Sequence, residues 1–182
     1  RSKIPYILSG GQSFFERAEI KDVIAYLRLL VNQDDDPAFI RAVTTPKRGI
    51  GQKTLEALGT YAGTRGISLF EALFETGAES HLNTGMVDAL RTFGTFINKL
   101  EYRAQREPAR DLLNELLATI KYEEWLYEQQ ERLAGRSDED GDRVAYARTA
   151  AGSAVHEAIA WFLTTEAWHQ RIVAGEAPRI DQ

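Results

Sequence analysis

The stretch Thr44-Thr45-Pro46-Lys47-Arg48-Gly49-Ile50-Gly51-Gln52-Lys53-Thr54 decides how this chain is read. Two glycines around one isoleucine permit a tight turn and the close approach of another backbone. Leu55, Leu58 and Ala62 follow at helical spacing, so the stretch reads as a short Gly-Ile-Gly hairpin that opens a helix with one buried face. The N–H groups of Gly51, Gln52 and Lys53 then stand at a helix start. Unpaired donors and the positive end of the helix dipole make such a start an anion site. From Arg41 to Thr54 there are four basic residues (Arg41, Lys47, Arg48 and Lys53) and no acid, in a chain of net charge -5. That local reversal of sign points to nucleic-acid phosphate; the competing reading is an ordinary helix start with solvated lysines.

Outward from this stretch, composition limits the alternatives. A length of 182 residues suffices for one well-buried core. Hydrophobic residues at 43% and charged residues at 27% fit a globular domain rather than a disordered or fibrous one. There is no cysteine, which excludes a disulfide framework, a thiolate metal site and a cysteine nucleophile, and fits a reducing compartment. No apolar run approaches the roughly 20 residues of a membrane span. Arg1-Ser2-Lys3-Ile4-Pro5 lacks a signal-peptide core and a starting methionine, which suggests a piece of a longer chain. A pI near 5.3 requires any nucleic-acid contact to be local.

The pattern is that of an all-α, irregular multi-helix domain with a helix-hairpin-helix-like Gly-Ile-Gly element and one short N-terminal strand. That strand is Ile4 to Leu8, closed by Ser9-Gly10-Gly11. Ile20, Val23, Ile24, Leu27, Leu30 and Val31 mark a helix face. Asp36 caps the next helix with Pro37 at its first position. Gly63 and Gly66 close the helix after the hairpin, and Ser68-Leu69-Phe70-Glu71 has capping-box spacing. Met86, Leu90, Phe93, Ile97 and Leu100 stripe a long helix. Pro108 opens another, with Leu112, Leu113, Leu116, Leu117 and Ile120 inside. Tyr122 to Leu133 is a further amphipathic helix carrying Trp125. Ala134 to Asp142, with two glycines and four acids, reads as an exposed loop. Val155 to Leu163 and Trp168 to Val173 complete the helices.

No catalytic chemistry stands out. Neither a phosphate loop nor a dinucleotide glycine motif occurs. His81, His156 and His169 lack ligand spacing, and the two later ones read as surface helix residues. Asp34-Asp35-Asp36 reads as a loop ending in a cap, where negative charge is favourable. Asp138, Glu139, Asp140 and Asp142 lack the calcium-loop order. Trp125, Trp161 and Trp168 lie on helical stripes and read as core.

The run Ile4-Pro5-Tyr6…Ser9-Gly10-Gly11-Gln12-Ser13-Phe14-Phe15-Glu16-Arg17-Ala18-Glu19-Ile20-Lys21-Asp22 resembles the Rep/UvrD/PcrA-type superfamily-one ATP-dependent DNA helicases. So do Ala25-Tyr26-Leu27-Arg28-Leu29-Leu30, Asn32-Gln33-Asp34-Asp35-Asp36 and Pro46-Lys47-Arg48-Gly49-Ile50-Gly51, and Tyr122-Glu123-Glu124-Trp125-Leu126-Tyr127 looks most like the Rep branch. The match is specific over residues 4 to 62, weaker to 133, and departs from the family after that, where Arg148-Thr149-Ala150-Ala151 stands in place of the usual arginine-led Asn-Val pair.

The resemblance implies the 2B subdomain, a helical insertion in the second motor lobe, with its connections. Residues 1–16 would be the strand and hinge leaving the lobe, 17–178 the helical subdomain, and 179–182 the return hinge. The parent would be a 3′-to-5′ DNA helicase using ATP and magnesium at motifs outside this chain, which itself would hold no cofactor and no metal. Its partners would be double-stranded DNA near a fork, the motor lobes of its own chain and a replication or repair protein, with no membrane contact, in the cytoplasm at the nucleoid. The duplex-contacting role falls on Gly49, Ile50, Gly51 and Thr54, with Lys47, Arg48 and Lys53 beside them. The swivel points would be Ser9, Gly10 and Gly11 on one side and Arg179, Ile180 and Asp181 on the other. Two further readings are open: a protein-interaction or autoinhibitory module, and the matching domain of a RecB-type helicase-nuclease.

Overall fold

The computed structural model describes residues 10–134. The expected strand Ile4–Leu8, the loop beyond Ala134, the two late helices and the return segment Arg179 to Asp181 lie outside the described residues, as does Ser9. What is described is helix and connecting loop, with no strand: an all-α architecture.

Seven α-helices follow one another: α1 (Gly10–Val31), α2 (Asp36–Thr44), α3 (Gln52–Arg65), α4 (Leu69–Ala72), α5 (Thr84–Ala104), α6 (Ala109–Thr119) and α7 (Tyr122–Ala134), with a 3₁₀ turn at Thr76–Ser80 before α5. Helix α1 packs on α2 and α5, α4 joins α2 to α3, and α6 bridges α5 to α7. Helix α1 runs unbroken through residues 16 and 17, and Gly10 and Gly11 form its first turn.

Burial explains why α1 is central. The expected stripe is there in Val23 and Leu27, which pack with Leu113, Leu117 and Tyr122. The opposite side of the same helix is also buried: Ala25, Tyr26 and Leu29 enter the main core with Phe39, Val43, Leu58, Phe93 and Ile97. A helix pressed between two apolar clusters has no wide solvent face, and its sequence loses the one-sided pattern of a surface helix.

Caps fix the helix ends. Asp35, one residue before the expected position, caps α2, and its carboxylate accepts from the Ala38 N–H at 3.1 Å. Asp36 is displaced from that role because its own carboxylate accepts from the Leu69 N–H at 2.9 Å, tying the start of α4 to α2. Ser68 caps α4 as its spacing requires, accepting from Glu71 N–H. Helix α3 ends at Gly66 in the left-handed conformation; Gly63 lies inside the helix rather than at its end. In α5 the buried stripe begins at Val87, with Met86 only half-buried.

Candidate nucleic-acid interface

The loop from Thr45 to Gly51 joins the C-terminus of α2 to the N-terminus of α3. Its side chains alternate in direction. Lys47 is exposed, Arg48 turns inward, Gly49 reverses the chain at φ +76, Ile50 is 7% exposed and inserted in the core, and Gly51 is exposed. The reversal at Gly49 is one that side-chain-bearing residues adopt only with strain. It lets two successive inward anchors, Arg48 and Ile50, grip the body while the glycine between them faces out. The Thr45–Pro46 peptide in this loop is cis.

Gly51 is the N-cap of α3, with φ -100 and ψ 177, extended backbone open to any residue. A Cβ placed there would meet nothing within 4 Å. The fold therefore requires glycine at 49 and not at 51. No side chain caps α3. With Gly51 as the cap, the three leading donors are the N–H groups of Gln52, Lys53 and Thr54, one residue later than the sequence suggested. The first turn of α3 contains no acid. Glu56, one turn on, has its carboxylate bonded to the Gln52 amide at 2.8 Å. Lys53 is exposed beside this helix end, and Thr54 is half-buried.

The four basic residues divide into two pairs. Lys47 and Lys53 face solvent. Arg41 donates to the buried Asp22 carboxylate at 2.8 Å, and Tyr122 donates to the other oxygen at 3.0 Å. Burial raises the Asp22 pKa, against the lowering effect of Arg41 and Tyr122. Arg48, expected beside the phosphate contacts, has partners within the fold. Its Nη1 donates to the carbonyls of Ala42 (2.7 Å), Pro46 (3.1 Å) and Val43 (3.2 Å), and its Nη2 to the Tyr26 hydroxyl. The guanidinium lies 4.9 Å from the Phe93 ring centre. Ile50 is buried in the main core.

The contacts of Tyr26 and Phe93 with this loop were not read from the sequence. Tyr26 donates to the carbonyls of Ala42 (2.9 Å) and Thr45 (2.6 Å), which share its single proton, and burial pushes its pKa up to about 12. The available signal was a hydroxyl and, four residues earlier, a carboxylate (Asp22) beside the largely apolar run Val23 to Leu30 of α1, since buried polar groups need partners. Among the described residues no cluster of His, Cys, Asp or Glu could hold a metal, and no helix is long and apolar enough to cross a membrane.

The α3 start thus has no side-chain cap, and Lys47 and Lys53, on either side of it in the sequence, are exposed. Residues 1–81 match the family described as the UvrD-like helicase C-terminal domain. The chain is similar to the ATP-dependent DNA helicase Rep of Salmonella typhimurium, 48% identical over 128 residues, which are 70% of this chain and 19% of that protein. It is 44% identical to DNA helicase II of Haemophilus influenzae over 108 residues (59% and 15%) and 36% identical to the ATP-dependent DNA helicase PcrA of Bacillus subtilis over 126 residues (69% and 17%). The chain is thus similar to a fragment of the Rep-type superfamily-one helicases, and its matched part spans about a fifth of the length of Rep.

Proposed function

We propose that this chain is the 2B subdomain of a Rep-like ATP-dependent 3′-to-5′ DNA helicase and that it grips duplex DNA near the fork through the start of α3. Lys47 and Lys53 supply the positive charge, and the N–H groups of Gln52, Lys53 and Thr54 supply the donors. The observation that carries this reading is Gly51: a glycine that neither φ nor packing requires, at an uncapped helix start, leaves room for something outside the fold to approach the backbone. Glycine is also a fair N-cap in its own right, which is the reading the test must defeat. Contacts to phosphate oxygens position a protein without reading bases, as general unwinding requires.

In this proposal ATP and magnesium act in the motor lobes of the parent, and this chain holds neither. It swivels as a body about the segments Ser9–Gly11 and Arg179–Asp181, switching the grip on and off while the motor pulls one strand. The domain limits at 16/17 and 178/179, a replication or repair partner, and a place in the cytoplasm at the nucleoid belong to the same proposal. The test is Gly51→Val, which removes no charge but puts a β-branched side chain where phosphate must come close. Duplex affinity of the 182-residue chain at low salt falls at least several-fold while its helical spectrum is unchanged. Equal affinity removes the loop from the DNA site and favours an interaction module.

A further inference from the structure

We infer that Arg48 is a positioning residue: it fastens the turn to α1, α2 and α5 and so holds the α3 start open to the outside, without touching the ligand itself. The duplex readout below rests on the proposed DNA grip; the fastening does not. Four elements converge on one guanidinium. The Ala42 and Val43 carbonyls come from the last turn of α2, at the negative end of its dipole, where Ala42 also accepts from the Thr45 N–H. The Pro46 carbonyl comes from the turn itself, the hydroxyl of Tyr26 from α1 and the ring of Phe93 from α5.

The geometry is specific to arginine. A planar fork offers two N–H groups shared among three carbonyls on one nitrogen and donates to a hydroxyl with the other while its face lies on an aromatic ring; an ammonium, a single point, cannot meet the carbonyls, the hydroxyl and the ring together. Tyr26 suits the role because its neutral hydroxyl accepts from Arg48 and donates to a carbonyl at once. Tyr26 and Phe93 in turn meet edge to face at 6.2 Å, so the clamp is continuous with the main core. Two residues after Arg48, Ile50 is the second fastening, and between the two Gly49 turns the backbone outward.

The experiment compares Arg48→Gln, Arg48→Lys and Tyr26→Phe with the parent in the 182-residue chain, in two readouts. First is amide hydrogen exchange at Thr45 and Leu55, whose N–H groups bond to the Ala42 and Gly51 carbonyls at the two ends of the turn. Exchange at these two amides rises at least tenfold in both Arg48 variants and less in Tyr26→Phe, while amides in the middle of α5 keep their protection. Arg48→Lys, which retains the charge, does not rescue. Second is binding of a DNA duplex across a salt series. Affinity falls several-fold in Arg48→Gln, with the log–log salt slope unchanged, because no phosphate contact has been lost. A slope lowered by about 0.9 would make Arg48 a phosphate ligand, and unchanged exchange at Thr45 and Leu55 would show that the turn is held without it. Failure of the parent chain to bind duplex would sink the proposed grip yet leave the exchange comparison decisive for the clamp. Tyr26→Phe keeps the test open should Arg48→Gln not fold.

Discussion

Gly49 and Gly51 stand two residues apart, and the structure assigns them different reasons for being glycine. Gly49 has φ +76, and a Cβ there would meet nothing within 4 Å, so replacement costs backbone strain alone. A non-glycine residue in this conformation pays about 1–2 kcal/mol. Alanine recovers roughly 0.4–1 kcal/mol by narrowing the unfolded ensemble. The net loss for Gly49→Ala is therefore about 1 kcal/mol, which for a chain of this size lowers Tm by roughly 2–4 °C. Gly51 already has an ordinary backbone and an open Cβ position. Gly51→Ala gains the same unfolded-state term and loses a similar amount because alanine is a poorer N-cap, so its Tm stays within about 2 °C of the parent. Gly49→Asn, which tolerates the left-handed region, recovers part of the loss. Thermal and urea unfolding of the four proteins at one pH check the ordering. Equal losses at both positions, or the larger loss at Gly51, would refute the division between a glycine the fold needs and one it does not.

Acid titration separates two sets of carboxylates. Hydrogen bonds from Arg103 hold Glu107 and Glu115 below the ordinary 4.5, and hydrogen bonds from Tyr61 and then Arg65 do the same for Glu75. Their contribution is present above pH 4.5 and is lost as pH falls through their depressed folded values. Asp22 has the opposite sign: its folded pKa lies above the ordinary 3.8, so the native state takes up a proton first and stability rises as pH falls through that window. Asp22→Asn therefore shows a steeper loss between neutral pH and pH 3 than the parent, read as urea midpoints; parallel profiles would contradict this. The 182-residue chain also hydrolyses no ATP, with or without DNA, and saturable hydrolysis by highly purified protein would overturn the assignment of the motor chemistry to other parts of the parent.

How legible the fold was depended on whether a residue's partners were near in sequence. Leu90, Phe93, Ile97 and Leu100 form the buried face of α5 as their spacing required, and Ser68 caps α4 from a local signature. The second face of α1 was hidden because Tyr26 and Leu29 answer to α2 and α5 rather than to the period of their own helix. Among three consecutive aspartates the cap fell to Asp35 because Asp36 is drawn to an N–H 33 residues away. Trp125, placed in the core by its stripe, is half-buried and stacks on Tyr122 at 5.6 Å. The loop itself was found by its glycines and charge. Yet a count of basic residues carries no measure of burial, and of the four Lys47 and Lys53 are exposed while Arg41 and Arg48 are half-buried. Arg48 is taken by carbonyls and by a tyrosine 22 residues before it, a pairing that only the packing of α1 against α2 creates.

The central claim is that this chain holds duplex phosphate with Lys47, Lys53 and the α3 start. The most direct measurement is the salt dependence of duplex binding for the parent chain and for Lys47→Ala combined with Lys53→Ala, by fluorescence anisotropy. The parent binds duplexes of unrelated sequence equally, in the range of roughly 10⁻⁴–10⁻⁶ M, weakening steeply with salt. Removing two phosphate-neutralising lysines lowers the magnitude of the log–log slope by about 1.8, at about 0.9 for each contact, with unfolding unchanged. A double variant that binds with the parent's slope and affinity would contradict the account.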